Sequence, residues 1–172
     1  MSLNTCPTFN DRISVFHSAS ITYHVQDDVG IYREYIRCNP TWKGVGRYDC
    51  VFVNMRPHLK GMRSLDIARL LLLFSFKYKG KIYPCALMHW YVLVQDSPDK
   101  DTGMWMVEPE LSDGSPVISI IHLDCVFRTA HLIPIYGHHP IPHFILAHQS
   151  LDVFKAFYVN KFIDYHAFDF AL

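Results

Sequence analysis

The sequence predicts a mainly β fold, a curled sheet or small barrel of seven to eight strands with a C-terminal helix. Three observations predict it. Short segments alternate apolar with polar residues. Two long apolar runs flank a Lys-Gly pair. Valine, isoleucine and aromatic residues crowd the stretches between Gly, Pro and Asp. A chain of 172 residues suits a single β-rich domain over 1–172, and at 50% hydrophobic content it can fill a core.

R-I-S-V-F-H (12–17) and S-I-T-Y-H-V (20–25) have the period of half-buried strands, and D-D-V-G (27–30) marks a turn. E-Y-I-R-C (34–38) is a third short strand, and N-P-T-W-K-G-V-G (39–46) reads as an irregular loop. Y-D-C-V-F-V-N-M (48–55) follows and stops at Arg56-Pro57. The central pair, 66–78 and 81–95, is predicted as a hairpin about Lys79-Gly80. Ile67, Leu70 and Leu71 also fit a helical period, but Phe74, Phe76 and Tyr78 favour strand. In the second arm Ala86, Met88, Trp90, Val92 and Val94 share the better core face, with Leu87, His89, Tyr91 and Leu93 opposite.

A polar loop (96–103) leads to 104–109, a turn at 113–116, and strands over 117–123 and 126–136. The prolines of H-H-P-I-P-H (138–143) exclude regular structure there. Ser150 then reads as the cap of a helix over about 150–166, with Leu151, Phe154, Phe157, Tyr158 and Phe162 as its apolar stripe.

The net charge of zero conceals an asymmetry. Between Arg33 and Lys81 there are 11 basic and 3 acidic residues, or +8. Residues 1–32 carry −2 and residues 82–172 carry −6. A basic binding face and an evenly mixed surface both fit this pattern. The face would comprise Arg33, Arg37, Lys43, Arg47, Lys60 and Arg63, with Trp42 in a loop among them as a stacking or cage residue. Trp90, at strand spacing, reads as core packing.

Catalytic signatures are sparse. The sequence has no G-x-S-x-G, P-loop or G-x-G-x-x-G, so no cofactor is expected. Cys6, Cys38, Cys50, Cys85 and Cys125 are scattered, without a C-x-x-C pair, and read as reduced core thiols. Seven of the 11 histidines lie from His122 onward, but His139, His143 and His148 lack the spacing of a metal site. Glu108, Glu110, Asp113 and Asp124 with His122 form the alternative, a metal-dependent or pocket-based enzyme of unknown substrate built from residues 108–148. The longest apolar run, Leu70 to Phe76, is too short to cross a bilayer, and the N-terminus lacks a secretory pattern. An intracellular protein is therefore expected.

Five strings also occur together, in order: Y-D-C-V-F-V-N (48–54), F-S-F-K-Y-K-G-K-I-Y-P-C-A-L-M-H-W-Y (74–91), D-T-G-M-W-M-V-E-P-E (101–110), I-I-H-L-D-C-V-F-R-T-A-H-L-I-P-I-Y-G (120–137) and S-L-D-V-F-K-A-F-Y-V-N-K-F-I-D-Y-H-A (150–167). As a set they resemble the C-terminal region of Plavaka-type transposon proteins of basidiomycete fungi, from about Phe16 to His166. The resemblance implies descent from a mobile element and a fungal, nuclear setting. It carries over no catalytic acids. I-A-R-L (67–70), A-L-M-H-W-Y (86–91), V-E-P-E and I-H-L-D-C-V-F are similar in order to the β-rich bromo-adjacent homology domains of chromatin, a likeness of fold alone. Together these readings lead to a non-catalytic binding module whose partner is DNA or a chromatin protein, with no membrane role.

Overall fold

The chain is described by a computed structural model at residues 12–24, 30–59, 61–137 and 140–170. The fold is mainly β, as expected. Its strands are β1 (Ser14–Phe16), β2 (Ser18–His24), β3 (Ile31–Trp42), β4 (Val45–Tyr48), β5 (Cys50–Asn54), β6 (Leu65–Tyr78), β7 (Lys81–Leu93), β8 (Met106–Pro109), β9 (Leu111–Ser112), β10 (Ser115–Pro116), β11 (Ile118–His122), β12 (Val126–Ala130), β13 (Leu132–Pro134) and β14 (Phe157–Val159). Two short helices, α1 (Ser150–Val153) and α2 (Tyr165–Phe170), lie near the C-terminus. The turn expected at 27–30 falls largely outside the described residues.

The largest sheet runs β12-β5-β6-β7-β8-β14-β13, antiparallel throughout. Its first and last strands, β12 and β13, are separated in the chain by His131 alone, so the sheet must curl until its ends meet. The result is a nearly closed barrel. The N–H of Asn160 donates to the His131 carbonyl (2.9 Å) at that seam. The long hairpin β6–β7 forms the spine, and its turn has Lys79 at φ 47° and Gly80 at φ 80°. Positive φ at both central residues is the geometry that matches the twist of the flanking strands, and it explains why a Lys-Gly pair can make the turn.

Every residue of Cys50–Val53 is buried, because both faces of β5 are covered. One face looks into the barrel, where Cys50, Phe52, Ile67, Tyr91, Val107, Phe157 and Val159 pack together. The other, with Val51, Val53, Ala68, Leu70 and Met88, packs against Ile21, Ile36 and Cys38 of a separate three-stranded sheet, β2-β3-β4. Ile36 is fully buried there, and burying such a side chain contributes about 1.5–3 kcal/mol. Residues on both faces of β7 are therefore core. Met88 and Ala86 serve one cluster and Tyr91 the other.

A charged staple joins the two sheets. Arg128 of β12 is buried, and its Nη2 donates to Glu34 Oε1 of β3 and to Asp164 Oδ2, both at 2.7 Å. Glu34 also accepts from the Thr129 N–H (3.0 Å), the Thr129 hydroxyl (2.6 Å) and the Tyr23 hydroxyl (3.0 Å). Burial alone would lower the Arg128 pKa, but the hydrogen bond to Asp164 and the charges of Glu34 and Asp164 raise it instead.

The C-terminal stretch departs from expectation. The helix read over 150–166 is interrupted: α1 ends at Val153, residues 157–159 form β14, and α2 begins only at Tyr165. Phe157 and Val159, two apart, point into the barrel, while Phe162 is exposed. The seam between β8 and β13 needs a strand, and that pairing overrides the helical spacing of the aromatic stripe.

Candidate binding surface on the three-stranded sheet

The long strand β3 alternates. Tyr32, Glu34, Ile36 and Cys38 turn toward the barrel, and Arg33, Tyr35, Arg37 and Asn39 turn outward. The neighbours of the outward residues on β2 are small and polar: Thr22 beside Arg33, Ser20 beside Tyr35 and Ser18 beside Arg37. On β4, Arg47 sits opposite Asn39. An antiparallel register therefore places Arg33, Arg37 and Arg47 on one face.

Strict alternation would put Trp42 on the buried side with Glu34 and Cys38. A register shift between Asn39 and Trp42, containing Pro40, reverses that phase, so that Trp42 pairs with Val45 and joins the arginine face. The Arg37 guanidinium carbon lies 4.6 Å from the Trp42 ring centre and that of Arg47 lies 5.7 Å away. Both distances are within cation–π range. The stretch expected as an irregular loop, 39–46, is thus the end of β3, a bulge and a tight turn at Lys43 (φ 48°) and Gly44 (φ 86°).

Asp49 fixes the geometry. Its Oδ1 accepts from Arg47 Nε (2.7 Å), and its Oδ2 accepts from the Arg37 backbone N–H (2.9 Å). Among the described residues, no carboxylate pairs with the guanidinium of Arg37 or Arg33. Among the described residues, the outward face with its turn carries four cations, Arg33, Arg37, Lys43 and Arg47, against the single carboxylate of Asp49. Glu34 lies on the opposite side and is committed to Arg128.

Arg63 is not brought to this face. It sits in a 3-10 turn leading into β6, next to Asn54, whereas Arg47 and Asp49 lead into Cys50 at the other end of β5. Lys60 lies outside the described residues.

A cleft of about 430 Å³ opens beside Trp42. Its lining includes Trp42, Arg47, Tyr48, Arg69, His131 and His148. Arg69 makes a forked pair with Asp152 and lies 5.7 Å from the centre of the Tyr48 ring. Sequence reasoning missed this cleft, because Arg69, His131 and His148 come from segments with no shared local pattern.

The alternative residues do not converge. His122 is opposite Cys85 on β7, whereas the Glu110 N–H donates to the Trp90 carbonyl five residues along, about 17 Å at strand spacing. Asp113 is in the exposed turn between β9 and β10, and Glu108 is exposed on β8. His122 and Asp124 form a 3.3 Å pair at the surface, and His143 and His148 are exposed. His139 lies outside the described residues, among which no group of three His, Cys, Asp or Glu side chains could hold a metal ion. Burial pushes the Cys38 thiol up to about 11 and the Cys50 thiol up to about 12, which keeps both protonated at neutral pH.

Fold and surface together define a nearly closed antiparallel barrel carrying a three-stranded side sheet with a basic, tryptophan-centred outer face. No protein-family model, curated protein or solved structure matches the chain.

Proposed function

We propose that the chain is a transposon-derived, non-catalytic module that binds nucleic acid through the outer face of β2-β3-β4. The observation that carries this reading is the bulge that turns Trp42 out beside Arg37 and Arg47. A guanidinium resting on an indole keeps its N–H edge free and loses little freedom when it meets a phosphate. Arg33 and Arg37 stand about 13 Å apart along β3, roughly four nucleotide rises of 3.4 Å. Lys43 extends the line at the hairpin tip, and exposed Tyr35 supplies a ring for an unpaired base. Phosphate contacts of this kind hold a strand without reading its sequence. On this reading the protein works in the nucleus of a fungal cell.

Fluorescence anisotropy with labelled duplex and single-stranded oligonucleotides, from about 25 to 200 mM salt, tests the reading. With three to four phosphates neutralised, the logarithm of affinity should fall with a slope of about −3 against the logarithm of salt. Arg37→Ala should flatten the slope by about one, whereas Arg63→Ala should leave it unchanged. Undetectable binding at low salt, or a flat salt profile, would overturn the nucleic-acid reading. Capture of an acidic chromatin protein in its place would transfer the same arginines to that partner.

A further inference from the structure

We propose that the outer edge of β11 pairs with the same strand of a second copy of the chain, forming a two-fold symmetric dimer. β11 runs antiparallel to β7 in unbroken register, Ile118 opposite His89 through His122 opposite Cys85. The Trp90 N–H donates to the Val117 carbonyl (3.0 Å), while the Val117 N–H donates to the Glu110 carbonyl (3.0 Å), so the carbonyl at 117, and by alternation the main-chain groups at Ser119 and Ile121, point toward β7. Those of Ile118, Ile120 and His122 point away from it. Among the described residues no strand pairs with that side.

Free edges are normally blunted by charge, proline or a bulge. β11, with the sequence I-S-I-I-H, has none of these, and Ile118 and Ile120 are 46% and 61% exposed. Beside them on the same face lie Leu87 and Leu72, so the exposed isoleucines continue an apolar surface across the sheet.

Self-pairing is the occupancy this strand fits. An antiparallel dyad through Ser119 sets Ile118 opposite Ile120 of the second copy, twice. Each pair exchanges the outward N–H and C=O groups and matches isoleucine with isoleucine. No like charges meet across the axis, and a chain of zero net charge has no long-range repulsion to overcome. The contact is isologous, so pairing consumes both β11 edges and assembly stops at two.

Sedimentation velocity of the full chain, from about 1 to about 100 µM, tests this. The wild type should shift from monomer to dimer with concentration. Ile120→Lys adds the missing edge charge and should weaken association about a hundredfold or more, with an unchanged far-UV circular dichroism spectrum. The dyad also places the two Ser119 Cα atoms about 4.5 Å apart, within disulfide reach. Ser119→Cys should therefore form a covalent dimer under mild oxidation that the wild type does not form. A wild type that stays monomeric throughout would overturn the proposal, including one that instead takes an extended peptide at this edge. So would a dimer that survives Ile120→Lys, or a Ser119→Cys variant that dimerises without cross-linking.

Discussion

Replacing Arg128 by Met tests how the side sheet is held to the barrel. Methionine keeps most of the buried stem and removes the guanidinium. Glu34 would retain its three other donors, the Thr129 N–H and hydroxyl and the Tyr23 hydroxyl, but lose the cation it pairs with. Asp164, with its side chain 40% exposed, can rehydrate, whereas Glu34 at 21% cannot do so fully. The cost therefore falls mainly on Glu34. Breaking a buried pair from one side costs about 3–5 kcal/mol, a large share of the ~5–15 kcal/mol that stabilises an ordinary domain. Urea unfolding followed by tryptophan fluorescence should show the midpoint falling with little change in slope. Glu34→Gln in the Arg128→Met background should restore part of the loss, because it removes the stranded charge. A loss below about 1 kcal/mol, or strict additivity of the two substitutions, would refute the staple as a coupled unit.

Two further outcomes follow from the same chemistry. Burial opposes ionisation of Asp164, but hydrogen bonds from Arg128 and the Ala167 N–H, with the Arg128 charge, hold its carboxyl below the usual range. A depressed folded pKa gives stability that is complete above the unfolded value of about 3.9 and disappears as pH falls through the folded value. The stability gap between wild type and Asp164→Asn should accordingly be widest above about pH 4.5 and close on acidification, and a gap independent of pH would contradict it. The second outcome concerns thiols. Cys38, Cys50 and Cys85 are buried with raised pKa values, so a thiol reagent should label them only as the chain unfolds, while half-buried Cys125 reacts earlier. Rapid labelling of Cys50 in the native state, read by mass spectrometry, would contradict its burial.

Much of the barrel was legible because its signals are local. Lys79-Gly80 between two apolar runs specifies the β6–β7 hairpin without help from the rest of the chain. The strand ends were less legible, since Ile31–Tyr32 and Asn39–Trp42 carry weak strand signals and are drawn into β3 by pairing with β2 and β4. The C-terminal stripe shows the opposite failure. Leu151, Phe154, Phe157 and Tyr158 fit a helix by spacing, yet the distant strands β8 and β13 claim Phe157–Val159. Ser150, expected as the cap, is instead the first residue of α1, which follows a 3-10 turn over Ala147–Gln149, and the Phe154 N–H donating back to its carbonyl closes the helix after one turn.

The basic surface was legible only in part, and the missing part is a matter of phase. Alternation along β3 places Arg33 and Arg37 together, and any strand reading of 33–38 contains that information. That Trp42 joins them depends on one extra residue near Pro40, which no period predicts and which only the pairing with β4 shows. Asp49 has its own part in this surface. By accepting from the Arg37 backbone on β3 and the Arg47 side chain on β4, one carboxylate ties together the two strands that carry these arginines while neutralising only Arg47. Removing it would therefore act in two directions: Asp49→Asn would free the charge of Arg47 while loosening the strand that aims it. On the proposed reading, affinity for phosphate at low salt would follow the first effect and the order of the Trp42 environment the second. The pair of measurements would separate a charged patch from a built surface.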